Sequence, residues 1–268
     1  MNVLKNNNMY KYLLFLLTFQ FITAQETNVS SFLVVKDNVA ATVLIDKNDA
    51  KVVSIAANML ASDVFYITNK KLLVTQKKSI NGNVIIAGTI GKNSLIDKMI
   101  SKGELNVNEI KGPWERYIIK VIESPQKGME KALVVVGSDR RGTAYGILEL
   151  SRMMGVSPWE WWADVKSEKR DEIVLSIENK VFDGPSVKYR GVFLNDEDWG
   201  LQRWAALNFE PETGDMGPKT YGKIFELLLR LRANTIWPAM HSSTKPFYSF
   251  PQNKEVANDY AIVIGTSH

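Results

Sequence analysis

Cysteine is absent from the 268 residues. Its absence excludes disulfides, thiolate metal sites, a cysteine nucleophile and a lipid-modified N-terminal cysteine. Histidine is almost as scarce. His241 and His268 are the only two, which leaves no basis for a histidine-rich metal centre. No stripe of one charge sign exists either: 33 basic residues interleave with 29 acidic ones for a net charge of +4. A nucleic-acid surface is therefore not expected, and the basic excess reads as ordinary solubilising charge. A phosphate-cradling loop is missing as well. Gly137-Ser138-Asp139-Arg140-Arg141-Gly142 follows a strand pattern but fits neither G-x-G-x-x-G nor the P-loop spacing, so it reads as a structural strand-turn-helix connection.

Long apolar runs are confined to the start of the chain. Lys5 and Lys11 precede the run from Tyr12 to Ile22, and Thr23-Ala24-Gln25 offers a small residue for cleavage. The run is too short for a stable membrane span. Residues 1–24 thus read as an export signal, with Met9 as a second usable start, and the mature protein is expected outside the cytoplasm, in the periplasm or medium, with no membrane segment.

Hydrophobic residues make up 45% of the sequence, enough for one large domain or two ordinary ones. From about residue 30, short apolar strands alternate with amphipathic helices. Strands are expected at 31–35, 41–45, 71–75, 83–88, 117–122, 132–137 and 172–177. Helices are expected where Val52, Ile55, Ala56, Met59, Leu60 and Ile67 share a face, at 94–101, and after Gly142 with Tyr145, Leu148 and Met153 inward. Residues 25–182 thus form an α/β domain of usual size. Trp159, Trp161 and Trp162 read as a hydrophobic plug between two domains, with a sugar-stacking face as the alternative.

Asp183-Gly184-Pro185-Ser186 marks a boundary, after which the pattern is strand, helix, strand, helix, strand. A strand over 187–194 leads into a long loop, then a helix from Gly217-Pro218 with Tyr221, Ile224, Phe225, Leu228 and Leu231 on one stripe. A strand and loop over 235–241, a helix near 253–259 and a strand at 261–265 follow. That rhythm predicts parallel strands, and the fold class is α/β: an N-terminal α/β accessory domain followed, over 183–268, by about the first three strands of an incomplete (β/α)8 TIM-type barrel.

Each of these strands ends in polar or aromatic side chains. The first delivers Asn195, Asp196, Glu197, Asp198 and Trp199, the second Trp237 and His241, the third Ser267 and His268. In a barrel such carboxyl ends converge on one ligand. Glycoside cleavage needs two carboxyl groups, and this acidic triplet supplies candidates for one of them. Alternation along an extended stretch prevents all three from facing inward. Asn195 suits a sugar hydroxyl, and a histidine suits a substrate carboxylate. Acids after strands also serve as helix caps or solvated loops, and Met240-His241 also fits a semi-buried pair.

The run Tyr189-Arg190-Gly191-Val192-Phe193-Leu194-Asn195-Asp196-Glu197-Asp198-Trp199-Gly200 resembles glycoside hydrolase family 115, the xylan α-glucuronidases. So do Gly217-Pro218-Lys219-Thr220-Tyr221, Asn234-Thr235-Ile236-Trp237-Pro238-Ala239-Met240-His241 and Ile264-Gly265-Thr266-Ser267-His268, while the preceding domain resembles the non-catalytic one before the barrel in several exo-acting glycosidase families, with Arg141-Gly142-Thr143-Ala144-Tyr145-Gly146 as the matching helix start. The resemblance implies removal of glucuronic acid, or its 4-O-methyl ether, from the 2-hydroxyl of xylose in glucuronoxylan with inversion; no cofactor is expected, no metal site is assigned among these residues, and a metal requirement is left open. It implies Asp196 as the water-activating residue, and Asn195, Trp237 and His268, with His241 beside them, as substrate-binding residues. The acid partner is expected beyond this chain, since family members are longer, and a homodimer is left open for those relatives. The chain alone is then expected to be inactive. A non-catalytic carbohydrate-binding module built on the tryptophan cluster is the alternative.

Overall fold

The structure is a computed structural model that describes residues 29–77, 79–195 and 200–265. The predicted signal at 1–24 lies outside the described residues. Twelve strands are described: β1 Val29–Lys36, β2 Val39–Ala40, β3 Thr42–Leu44, β4 Leu73–Thr75, β5 Gly82–Thr89, β6 Tyr117–Glu123, β7 Met129–Gly137, β8 Ile173–Glu178, β9 Lys180–Phe182, β10 Gly191–Phe193, β11 Thr235–Trp237 and β12 Val263–Ile264. Five helices of eight or more residues accompany them: α1 Lys51–Thr68, α2 Ser94–Ser101, α3 Arg140–Met153, α4 Pro218–Arg230 and α5 Pro251–Asp259.

The first unit is a six-stranded sheet of order β4-β3-β5-β7-β6-β9. Its parallel strands β3, β5 and β7 are apolar on both faces because helices cover both. Val43, Ile85, Leu133 and Val135 face α1 and α3; Val84, Ile86, Val134 and Val136 face α2. β6 runs antiparallel to both β7 and β9, and β9 was not evident in the sequence because its three residues are too few for a period. A small antiparallel sheet, β2-β1-β8, lies beside it. The Gly137–Gly142 step is structural, as expected: Asp139 caps α3 through the Arg141 and Gly142 amides, both at 2.9 Å.

The second unit is a parallel three-stranded sheet of order β10-β11-β12, with α4 and α5 as its crossovers. One apolar cluster runs through both units, joining Leu148 and Leu150 of α3 to Tyr221, Phe225 and Leu228 of α4 and to Ile236 of β11. Two local expectations are corrected. The strand predicted over 187–194 is confined to Gly191–Phe193, because residues 187–190 curl around the Arg190 guanidinium, whose Nη1 donates to the carbonyls of Val187 (2.8 Å) and Lys188 (3.1 Å). The loop predicted after it is partly helical: a turn over Leu201–Trp204 passes into a π-helical turn over Ala205–Phe209. The π turn brings Trp204 and Phe209, five positions apart, into a stack with centroids 5.1 Å apart.

Among the described residues, no helix is long and apolar enough to cross a membrane.

Candidate functional site

Registry across the second sheet aligns the strand ends. Val192, Ile236 and Ile264 form one row, and Phe193 lies beside Trp237 in the next. Ile236 is fully buried beneath α4 and α5, whereas Phe193 and Trp237 stand on the open side and are about half exposed. Their rings meet edge to face with centroids 6.2 Å apart. Trp237 lies across the end of β12, where a Cβ on Gly265 would fall 2.2 Å from the indole Cδ1 and Nε1. Gly191 has an equally definite reason: a Cβ there would fall 1.5 Å from the Thr235 carbonyl oxygen, so only glycine lets β10 approach β11.

Beyond Phe193 the amide of Leu194 donates to the Trp237 carbonyl at 2.8 Å, and Asn195 then emerges exposed. Trp237 and Asn195 therefore sit at the carboxyl ends of adjacent strands. His241 lies four residues past β11, exposed, with Nδ1 3.2 Å from the Ser243 hydroxyl. Met240 and His241 are not the semi-buried pair that the sequence allowed, since both side chains face solvent. Asp196, Glu197, Asp198, Trp199, Ser267 and His268 lie outside the described residues. The described strand ends contain no carboxylate, and among the described residues no group of three or more His, Asp or Glu is placed to hold a metal ion.

Several residues that the sequence analysis did not single out hold this platform in place. Glu115, fully buried on the loop before β6, accepts from Arg141 Nε (2.6 Å), Arg190 Nη2 (2.6 Å) and Asn234 Nδ2 (2.7 Å). Arg190 and Asn234 stand immediately before β10 and β11, and the Asn234 side chain also accepts from the Arg190 amide at 3.0 Å. Tyr145 of α3 joins the same network by donating to the Ala233 carbonyl at 3.1 Å. Burial, and next the charge of Glu115, raise the Tyr145 phenol above its ordinary range, so the hydroxyl remains a donor. The first unit therefore fixes the amino ends of two strands whose carboxyl ends carry Asn195 and Trp237.

Glu210 does the same for α4. Its buried carboxylate accepts from the amides of Gly217 (3.0 Å), Lys219 (2.9 Å) and Thr220 (3.0 Å) and from the Thr220 hydroxyl (2.9 Å), ending the β10–α4 connection on a capped helix. The tryptophan cluster closes the outer side. Trp161 meets Trp162, Trp204 and Phe209 edge to face, and Trp162 Nε1 donates to the Lys223 carbonyl on α4 at 3.3 Å. Trp161 and Trp162 thus pack as the plug expected from the sequence, whereas Trp159 is about half exposed.

Residues 183–268 match the family described as glycosyl hydrolase family 115. Among solved structures, the chain is similar to a family GH115 4-O-methyl-α-glucuronidase with specificity for decorated arabinogalactans, at 41% identity and a TM-score of 0.74 over 85% of this chain. The chain spans 29% of that protein's length. A Streptomyces plicatus N-acetyl-β-hexosaminidase in complex with Thio-NAglucal shares 10% identity and a TM-score of 0.51 over 90% of this chain and 44% of its own, a likeness of fold alone. No protein of curated function matches the chain.

Proposed function

The chain belongs to glycosyl hydrolase family 115, and from that premise we propose that it forms one wall of an α-glucuronidase site. In this reading residues 1–24 direct export, 25–182 are an accessory α/β domain, and 183–268 open a (β/α)8 barrel. The observation that carries the reading is the alignment of Asn195 and Trp237 at the carboxyl ends of parallel strands inside the segment that matches the family.

The indole of Trp237 offers a flat apolar face to the C–H side of a pyranose ring, and Asn195 offers an amide to its hydroxyls. The uronate carboxylate is assigned to a histidine, His241 or His268, and Asp196 activates water for attack at the anomeric carbon. Inversion needs a second carboxyl group roughly 6.5–9.5 Å away to protonate the leaving oxygen. In this reading that acid lies outside these three strands, which supply only the water-activating Asp196. The substrate is a polysaccharide bearing glucuronic acid or its 4-O-methyl ether. Glucuronoxylan is the expectation from sequence, and the relative's specificity for decorated arabinogalactans makes these the second polymer to test.

A chimera tests this. Residues 183–268 would replace the equivalent segment of the 4-O-methyl-α-glucuronidase relative, with release of uronic acid measured on both polymers. The chimera is expected to be active, and Asp196→Asn to lower kcat by about 10²–10⁴. A D196N chimera turning over at the parental rate sinks the assignment. The chain alone is expected to release nothing, because in this reading Asp196 lacks its acid partner.

A further inference from the structure

Away from the strand ends, a cleft of 480 Å³ opens between α1, α4 and the tryptophan loop, within the usual size of small-molecule sites. A crossover helix runs antiparallel to its strands, so the α4 residues that line the cleft, Lys223 to Arg230, lie on turns that lead away from Asn195 and Trp237. A second hollow of 690 Å³ shares Asn58 and Ser62 with the first and continues past Phe65 to β4. The two together make an elongated path across the exposed side of α1.

The chemistry of the lining is specific. Trp161 is 37% exposed although its edges are held by Trp162, Trp204 and Phe209, so its free surface is presented by a ring that is already ordered. The lining charges balance, three basic (Lys51, Lys223, Arg230) against three acidic (Asp63, Glu160, Glu226), and four of them are paired, with the Lys223 ammonium also 5.4 Å from the Trp161 ring centroid. Arg230 forks onto Asp63 at 2.8 and 2.9 Å, and Lys223 holds Glu226 at 2.8 Å. Burial lowers the basicity of Arg230, but the Asp63 carboxylate outweighs it and keeps the guanidinium charged. Neutral polar groups complete the lining: Ser54 and Asn58 donate to carbonyls of their own helix at 2.8 and 2.7 Å and Tyr260 reaches Glu226 at 3.5 Å, which leaves the Ser54 hydroxyl oxygen, the Asn58 amide oxygen and the hydroxyls of Ser62 and Tyr66 to meet a ligand. An ordered aromatic plate, neutral hydrogen-bonding groups and internally balanced charge suit a polyhydroxylated, uncharged ring system better than an anion.

We propose that the α1–α4 cleft binds a neutral oligosaccharide segment, separately from the strand-end site. This second site would hold the undecorated stretch of a polymer chain, and its ligand class rests on the glycosidase reading. The tryptophan cluster would thereby serve both as plug and as binding platform.

Calorimetric titration of the purified chain with xylohexaose and with a neutral galactan hexaose tests the proposal, with glucuronic acid as a charged competitor. Saturable binding of one hexaose is expected, with no competition by glucuronic acid. Ser62→Trp, which fills an exposed part of the cleft, is expected to weaken binding by about tenfold or more without lowering the melting temperature. Trp161→Ala is expected to weaken it similarly, and its melting temperature reports any loss of packing. Asp196→Asn is expected to leave binding intact, which separates failure of this site from failure of the catalytic assignment. Absence of binding by the wild type, binding that survives Ser62→Trp, or loss on Asp196→Asn would each overturn the proposal.

Discussion

Arg190, at the entrance to β10, donates from Nη2 to Oε2 of the fully buried Glu115 at 2.6 Å. The bond crosses between the two units, and the same carboxylate holds Arg141 and Asn234. Removing the carboxylate leaves two guanidinium groups and an amide facing an empty site. Glu115→Ala is therefore expected to cost about 3–5 kcal/mol, as loss of one member of a buried ionic network does. Arg190→Ala should cost a similar amount. Because both variants break the same network, the double variant should lose clearly less than the sum of the two. Urea denaturation of the three variants measures this, and strict additivity would show that the residues act independently.

Glu210 offers a second, separable test. Four donors converge on its buried carboxylate at the start of α4, and Gly217 is confined by it, since a Cβ there would fall 2.6 Å from Oε1. Glu210→Ala is expected to destabilise the chain by on the order of 3 kcal/mol, because buried amides lose their acceptor. Glu210→Gln keeps one acceptor oxygen and should retain a substantial part of that stability. Equal midpoints for Ala and Gln would overturn this, since they would show that the single acceptor oxygen kept by Gln contributes nothing.

The Tyr117 hydroxyl is buried without a hydrogen-bond partner among the described residues, while its ring stacks on Phe182 with centroids 4.6 Å apart. Burial, and after it the charge of Glu149, raise the phenol above its ordinary value of 10.0. In alkali the unfolded chain loses this proton first. Stability is therefore unaffected below about pH 10 and falls as pH rises beyond it. Tyr117→Phe removes an unpaired hydroxyl, so at neutral pH it should be neutral or stabilising by up to about 1 kcal/mol. It should also make the alkaline decline shallower without abolishing it, because Tyr145 and Tyr260 are raised in the same direction. Urea midpoints at about pH 8 and pH 11 decide the matter. An unchanged slope in the variant counts against Tyr117 as a source of the decline.

The sheet and helices of the first unit were largely legible because they rest on local periodicity. β5 and β7 are continuous apolar runs between turn residues, and α1 buries a single stripe that includes Val52, Ala56, Leu60 and Ile67. The strand ends of the second unit were legible for the same reason, as apolar segments running into Asn195 and Trp237. What was not legible is long-range. Glu115 reaches Arg190 across 75 positions and Asn234 across 119, so no local spacing announces it. Arg190 and Asn234 were quoted within family-like motifs, yet their side chains brace strands, which a motif alone cannot distinguish from contact with a ligand. The π turn at 205–209 escaped because its signal is a pair of aromatic rings five apart, a spacing that fits neither helix nor strand period.

Trp237 and the two glycines that flank its sheet allow position to be tested apart from stability. A methyl group on Gly265 would meet the indole at 2.2 Å, whereas one on Gly191 would meet the Thr235 carbonyl at 1.5 Å. The indole is 46% exposed and free to swing outward, but the backbone of β11 is not free to move. Gly265→Ala is thus expected to cost under about 1.5 kcal/mol, since the side chain yields before the strand does. Gly191→Ala is expected to cost about 3 kcal/mol or more, because β10 must part from β11. The displaced ring should be visible as increased acrylamide quenching in Gly265→Ala, a difference that disappears in a Trp237→Phe background. In the chimera the same substitution should raise KM for the glucuronidated polymer more than it lowers kcat, since a platform that orients the sugar is disturbed while Asp196 is untouched. Unchanged quenching together with unchanged KM would remove Trp237 from the proposed sugar-binding wall.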